Sequence, residues 1–100
     1  MNYQIEFLTE AKEDLQNMDR SVQIKILKKI HKLSENPKIG YPLGNKAGID
    51  LSGYYKVYVD KKKIRIVYQI IEKLIIIKII AIGRRSELKV YIEAAKRLES

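Results

Sequence analysis

Residues 54–91 read YYKVYVDKKKIRIVYQIIEKLIIIKIIAIGRRSELKVY, and the rest of the chain is organised around them. Tyr54–Val59 and Ile64–Ile71 have the composition and alternation of strands, and Asp60–Lys63 between them has the composition of a turn. Because side chains alternate along a strand, Lys56 and Tyr58 share one face of the first, and Arg65, Val67 and Gln69 share one face of the second. Glu72-Lys73 makes another tight turn into Leu74–Ile82, apolar on both faces as a central strand covered on both sides must be. After Gly83-Arg84-Arg85, Ser86 can cap a terminal helix whose stripe is Leu88, Tyr91, Ala95 and Leu98.

Cations recur on this stretch at Lys56, Arg65, Arg84 and Arg85, among tyrosines at 54, 55, 58, 68 and 91. The charge is unevenly shared. Residues 1–53 carry eight Lys/Arg against seven Asp/Glu, whereas residues 54–100 carry twelve against five, so seven of the eight net positive charges fall on the second half. Positive charge interleaved with aromatics on a sheet points to an acidic, polymeric partner.

Upstream, Asn2–Leu8 alternates Tyr3, Ile5 and Phe7 with polar residues, as a strand with one buried face does. Thr9 can cap a helix carrying Ala11, Leu15 and Met18, with Glu10, Glu13 and Asp14 favourable in its first turn. Asp19 or Ser21 caps a second helix running to about Ser34, with Val22, Ile26, Leu27, Ile30 and Leu33 inward and Lys25, Lys28, Lys29 and Lys32 outward. Asn36-Pro37 ends it. The Gly- and Pro-rich segment from Pro37 to Gly53 reads as an ordered surface loop. The order is β-α-α-β-β-β-α: an α+β domain over residues 1–100 with a mostly antiparallel four-stranded sheet, two N-terminal helices packed on it and a short C-terminal helix.

With no cysteine, disulfides and thiolate chemistry are excluded, which fits a reducing cytoplasm. The N-terminus has no apolar signal-peptide core, and the longest apolar run, Leu74–Ile82, is interrupted by Lys78 and far short of the roughly 20 residues of a membrane span. The one histidine, His31, sits among lysines on the second helix and reads as a surface residue. No Asp/Glu/His cluster accompanies the cations, which argues against a metal-dependent site.

The order of elements, together with LSGYYKVYV, IRIVYQI and AIGRRSELKVYIEAAKRL, resembles the RelE/ParE superfamily of toxin–antitoxin toxins, on the RelE side, over essentially the whole chain. The resemblance implies a cytoplasmic, ribosome-dependent endoribonuclease that cuts mRNA in the decoding A site, without metal or cofactor, and is inhibited by a cognate antitoxin encoded beside it. It implies catalytic roles for Lys56, Arg65, Arg85 and Tyr91, while the charge on the same stretch makes Tyr58, Lys61, Lys62, Lys63 and Arg84 candidates for contact with mRNA or rRNA. Operator DNA would be met only through the antitoxin complex, and no membrane is involved. The chain departs from the pattern once, with Tyr58 where RelE-like toxins often carry a second basic residue. Two other functions fit the superfamily: a ParE-like inhibitor of DNA gyrase, and a catalytically inactive homologue acting in an antitoxin–DNA repressor complex.

RNA is cut without water or metal when its own 2′-hydroxyl attacks the adjacent phosphate, leaving a 2′,3′-cyclic phosphate. That needs a proton acceptor, positive charge on the phosphorane and a proton for the leaving 5′-oxygen. The resemblance implies Tyr91 as the acceptor, with Lys56 the next candidate; Tyr91 also lies on its helix's apolar stripe, where a core role competes. Arg65 and Arg85 suit a phosphate through their planar, bidentate fork, and Arg85 serves better as fixed charge than as an acid. Tyr54, Tyr55 and Tyr68 read as packing residues, and Lys61–Lys63 and Lys25–Lys32, taken alone, as solvated faces.

Overall fold

The chain folds into β1 (Gln4–Phe7), α1 (Thr9–Gln16), α2 (Arg20–Glu35), β2 (Tyr41–Lys46), β3 (Ile49–Val59), β4 (Ile64–Ile71) and β5 (Ile76–Arg84), with 3-10 turns at Pro37–Ile39 and Glu72–Leu74. This computed structural model describes residues 2–46, 48–84 and 96–97. One sheet orders the strands β1-β5-β4-β3-β2, with β1 parallel to β5 and the other neighbours antiparallel. The α+β class and the mostly antiparallel sheet are as the sequence implied.

The sheet has five strands because part of the expected loop is itself a strand. Tyr41–Lys46 pairs with the first half of β3, which begins at Ile49 rather than Tyr54. Two features hid it. Pro42 is tolerable only on an edge strand, since it has no N–H to donate. Gly44 and Gly48 take left-handed φ values of 59° and 78°, where they allow the irregularity after Pro42 and the turn into β3.

Both faces of the central strands are covered. On one, Ala11, Ile26, Ile30 and Leu33 of the helices pack on Val57, Val59, Ile64, Ile66, Tyr68, Ile77, Ile79 and Ile82. On the other, Val67, Ile80 and Ala81 gather with Leu43 and Leu51. Strict alternation after Ile77 and Ile79 would put Ala81, rather than Ile82, with the helices. The register shift between Val67 and Tyr68 places an extra residue in β5, so Ile80 and Ala81 can both join the second cluster.

The helices depart from expectation in detail. Leu8 donates its N–H to Ile79 O at 3.0 Å, which holds it extended, so Leu8 rather than Thr9 is the N-cap of α1. Asp19 is the N-cap of α2 by position, with extended backbone but no side-chain cap bond. Leu27, expected on the buried stripe, is 48% exposed, while Ile26, Ile30 and Leu33 carry the contact. Asp14 lies beyond the first turn of α1 and serves β5 instead: its carboxylate accepts from Ile82 N at 3.0 Å and from the Arg97 guanidinium at 2.8 Å. Arg97 also donates to Ile80 O at 2.8 Å, tying the end of the chain to α1 and β5 together. Lys96 and Arg97 are helical; Ser86, Leu88, Tyr91, Ala95 and Leu98 of the expected terminal helix lie outside the described residues.

One clamp fixes the segment after α2 to the sheet. The buried Tyr68 hydroxyl donates to Pro37 O at 2.7 Å and accepts from Gly40 N at 3.2 Å. Burial pushes this phenol up to about 12, so it stays a neutral donor. Gly40 approaches so closely that a Cβ there would collide with the Tyr68 hydroxyl and the Lys56 carbonyl. Tyr68→Phe should therefore cost about 1–3 kcal/mol, by leaving the Pro37 carbonyl without its donor. Gly40→Ala should destabilise by a similar amount through overpacking. In urea titrations both midpoints should fall at unchanged m-value.

Candidate functional site

The site is built on the β3–β4 hairpin. Tyr54 pairs with Gln69, Lys56 with Val67 and Tyr58 with Arg65, so these six side chains share the face opposite the helices. The hairpin tip is strained: Asp60, Lys61 and Lys62 all have positive φ, at 55°, 55° and 68°, where non-glycine residues are uncommon. Two bonds hold it, Lys63 N to Asp60 O at 3.1 Å and Lys25 Nζ to Asp60 Oδ1 at 2.8 Å, the second reaching across from α2. Bonding to Lys25, with help from the charges of Lys63 and Lys61, keeps the Asp60 carboxyl below the usual range.

Tyr58 lies close to two cations. The Lys56 ammonium is 5.2 Å and the Arg65 guanidinium carbon 5.7 Å from the centre of its ring. Both distances suit attraction between a cation and an aromatic face. Hydrogen bonding to Lys56 is the largest influence on the Tyr58 phenol; bonding to Arg65 and the two charges add to it, against some desolvation, and together they bring it down to about 8. Arg65 is only 8% exposed, and its β5 neighbour Gly83 has no side chain to compete for the space. The arginine is thus positioned by its surroundings rather than left to sample solvent.

Arg65 also borders a cleft of about 840 Å³ between the hairpin tip, the end of β5 and the α1–α2 connection. Lys61, Lys62, Lys63 and Arg84 line it from the sheet side, and Asn17, Met18 and Asp19 from the helix side. Five cations there face the carboxylates of Asp19 and Asp60, and Asp60 is already bonded to Lys25. The cleft is therefore positive, and of a size that suits a nucleotide-sized anion. Among the described residues no group of three or more His, Cys, Asp or Glu could hold a metal, and no helix is long and apolar enough to cross a membrane.

Of the residues expected to form the site, Lys56, Tyr58 and Arg65 come together on one sheet face, and Lys61, Lys62, Lys63 and Arg84 reach the neighbouring cleft through Arg65. Arg85 and Tyr91 lie outside the described residues. Tyr55 stacks on Tyr68 at 5.7 Å on the helix side, and Tyr54 packs against the second core cluster, so both are packing residues as expected. His31 faces Glu35 one turn on, at 3.9 Å on the surface of α2. Lys25 and Asp60 were not foreseen as partners; they are 35 residues apart, and no local pattern joins them.

A helix-backed sheet whose other face carries Lys56, Tyr58 and Arg65 beside a positive cleft defines a small basic domain. Residues 5–89 match the family described as ParE toxin of type II toxin–antitoxin system, parDE. A protein of Escherichia coli named "Putative RelE-like toxin protein" is 34% identical over 98% of this chain and 99% of its own length. The mRNA interferase toxin RelE of Escherichia coli K12 is 29% identical over the same shares. Among solved structures, a double arginine-to-alanine mutant of the E. coli toxin RelE in the free state superposes with a TM-score of 0.77 at 26% identity, over 98% of this chain and 99% of that one. The same mutant bound to an antitoxin RelBc peptide gives 0.71 at 25% identity, over 94% and 95%. The chain belongs to the RelE/ParE family of type II toxin–antitoxin toxins.

The electrostatics of Tyr58 can be measured directly. Its phenolate absorbance, taken as wild type minus Tyr58→Phe, should appear with an inflection near pH 8. Because Lys56 is the main cause of the lowering, Lys56→Gln should move that inflection upward, toward the roughly 10 of a free tyrosine.

Proposed function

We propose that this toxin cleaves mRNA on the ribosome by driving the RNA's 2′-hydroxyl onto the adjacent phosphate. The observation that carries the proposal is the meeting of Lys56, Tyr58 and Arg65 on one sheet face, beside a cleft lined by Lys61–Lys63 and Arg84. A phosphate in that cleft would have the Arg65 fork at its border as a bidentate donor. Lys56, Arg65 and Arg85 supply positive charge for the five-coordinate phosphorane. Tyr91 is the proton acceptor the resemblance implies, with Lys56 the next candidate. The lysines at the hairpin tip attract rRNA and mRNA through long-range charge, so binding weakens steeply with salt. A site built mainly of fixed cations depends on substrate held in a reactive geometry, and a codon fixed in the A site provides that.

Similarity to a relative named an mRNA interferase supports this reading. A cognate antitoxin, acidic where it meets the cationic face, is the proposed partner; a related toxin solved with its antitoxin peptide and the net charge of +8 support it. The matched family's ParE name favours a second reading, in which the same fold inhibits DNA gyrase without catalysis.

Primer extension on cellular mRNA after induction separates the two. A-site cuts are expected, and antitoxin co-expression should restore growth. Intact mRNA with accumulating gyrase–DNA complexes would instead establish the second reading. Arg85→Ala should remove the cuts and the toxicity while leaving the folded protein's thermal midpoint unchanged. Loss of one oriented positive donor at a phosphorane lowers the rate by about 100- to 1,000-fold.

A further inference from the structure

Among the described residues, one side chain in the cationic cluster can both give up and take a proton near neutrality. Lys56 and Arg65 arrive as cations and only donate. Asp60, the nearest carboxylate on the hairpin, is committed to Lys25 and held below the usual carboxylate range, which makes it a weak base. Tyr58 is different. It is half-buried, with two cations within about 6 Å of its ring centre, and it pairs across the strands with the arginine that also borders the cleft.

We infer that Tyr58 is a catalytic residue that accepts the proton of the attacking 2′-hydroxyl; the inference rests on the nuclease reading above. A phosphate gripped by Arg65 would bring its ribose beside the residue that pairs with that arginine. The phenolate oxygen takes the 2′-hydroxyl proton, the 2′-oxygen forms its bond to phosphorus, and the P–O5′ bond breaks. The leaving 5′-oxygen takes a proton from solvent, and the products are a 2′,3′-cyclic phosphate and a 5′-hydroxyl. Tyr58 then returns its proton to solvent. Atoms and charge balance, with no oxidant or metal required.

Two physical points support the assignment. A base works best when its pKa lies near the working pH, and the flanking cations bring this phenol to about 8. Roughly one molecule in ten therefore carries the phenolate at pH 7, against about one in a thousand for an unperturbed tyrosine. Second, as the proton transfers, negative charge leaves Tyr58 and grows on the phosphorane. Lys56 and Arg65 exchange one neighbouring anion for another, so their charges need not reorganise. Among the described residues, the charged groups acting on Tyr58 are Lys56 on its own strand and Arg65 on β4.

The test is single-turnover cleavage of mRNA on purified, programmed ribosomes by the full-length toxin, from pH 6 to 9. Wild type should show a rate that rises tenfold per pH unit and levels off near 8. Tyr58→Phe, which keeps the ring and its packing, should lower the plateau by about 100-fold or more and flatten the rise. Substituting 3-fluorotyrosine at position 58, a more acidic phenol, should restore cleavage and shift the rise to lower pH. Tyr91→Phe should retain the rise at any rate it supports. Thermal midpoints of all four proteins verify folding. If Tyr58→Phe keeps the wild-type rate and profile, or if the rise disappears only in Tyr91→Phe, Tyr58 is not the acceptor even though the toxin is a nuclease. If wild type makes no cuts at all, the nuclease reading itself fails and takes this assignment with it.

Discussion

The register between β3 and β4 is the constraint on which the molecule depends. Slipping one strand by a single residue would exchange its two faces. For β3, that would carry Lys56 and Tyr58 into the helix-covered core and expose Val57 and Val59. For β4, it would bury Arg65 against α2 and expose Ile64 and Ile66. Burying a guanidinium among aliphatic side chains costs several kcal/mol, and exposing the core valines and isoleucines adds about 1.5–3 kcal/mol for each. The core therefore selects the register that assembles the cationic face. The Lys25–Asp60 pair then holds the strained tip in place, so the turn geometry agrees with what the strands require.

Concentrating positive charge on one sheet face carries an electrostatic cost, and the structure distributes it. Lys61–Lys63 stay exposed at the tip, where water screens them. Arg65 is the exception, nearly buried, and Tyr58 offsets part of its desolvation by presenting an aromatic face. The same tyrosine offers its hydroxyl to both cations, which is why its phenol is the one brought down while Tyr68, in an apolar setting, is pushed up. Two tyrosines on adjacent strands, on opposite faces, are thus driven in opposite directions by their surroundings. One becomes a neutral structural donor and the other a group poised to ionise.

Much of this was legible in the residues. Alternation in Tyr54–Val59 and Ile64–Ile71 named the face carrying Lys56, Tyr58 and Arg65, and the isoleucines of Leu74–Ile82 marked the central strand. Local pattern could not show β2, because Pro42 and Gly44 mimic a loop and the strand is recognisable only by its pairing with β3. Nor could it show the bulge that turns Ile80 and Ala81 to the same face, or the bond from Asp14 to Ile82 N, both set by contacts distant in sequence. The cleft escaped for the same reason: it exists only because the α1–α2 connection comes to rest against the hairpin tip. Arg85 and Tyr91 were named from resemblance, and their assignments rest there.

Tyr58 occupies the position where a second cation is usual among RelE-like toxins, and physical chemistry changes how that departure is read. Counted as charge, it is a deficit: one fewer cation to bind an anion. Counted as protons, it adds a hydroxyl that can both donate and accept, whereas the Lys56 ammonium and the Arg65 guanidinium only donate while they keep their charge. The remaining charge is not wasted, because those two cations are what make the phenol acidic enough to matter. The departure and the cations around it therefore belong to one device. Replacing either neighbour by a neutral residue would remove a positive charge from the cluster and, by the same change, return the phenol toward a pKa at which it is seldom ionised.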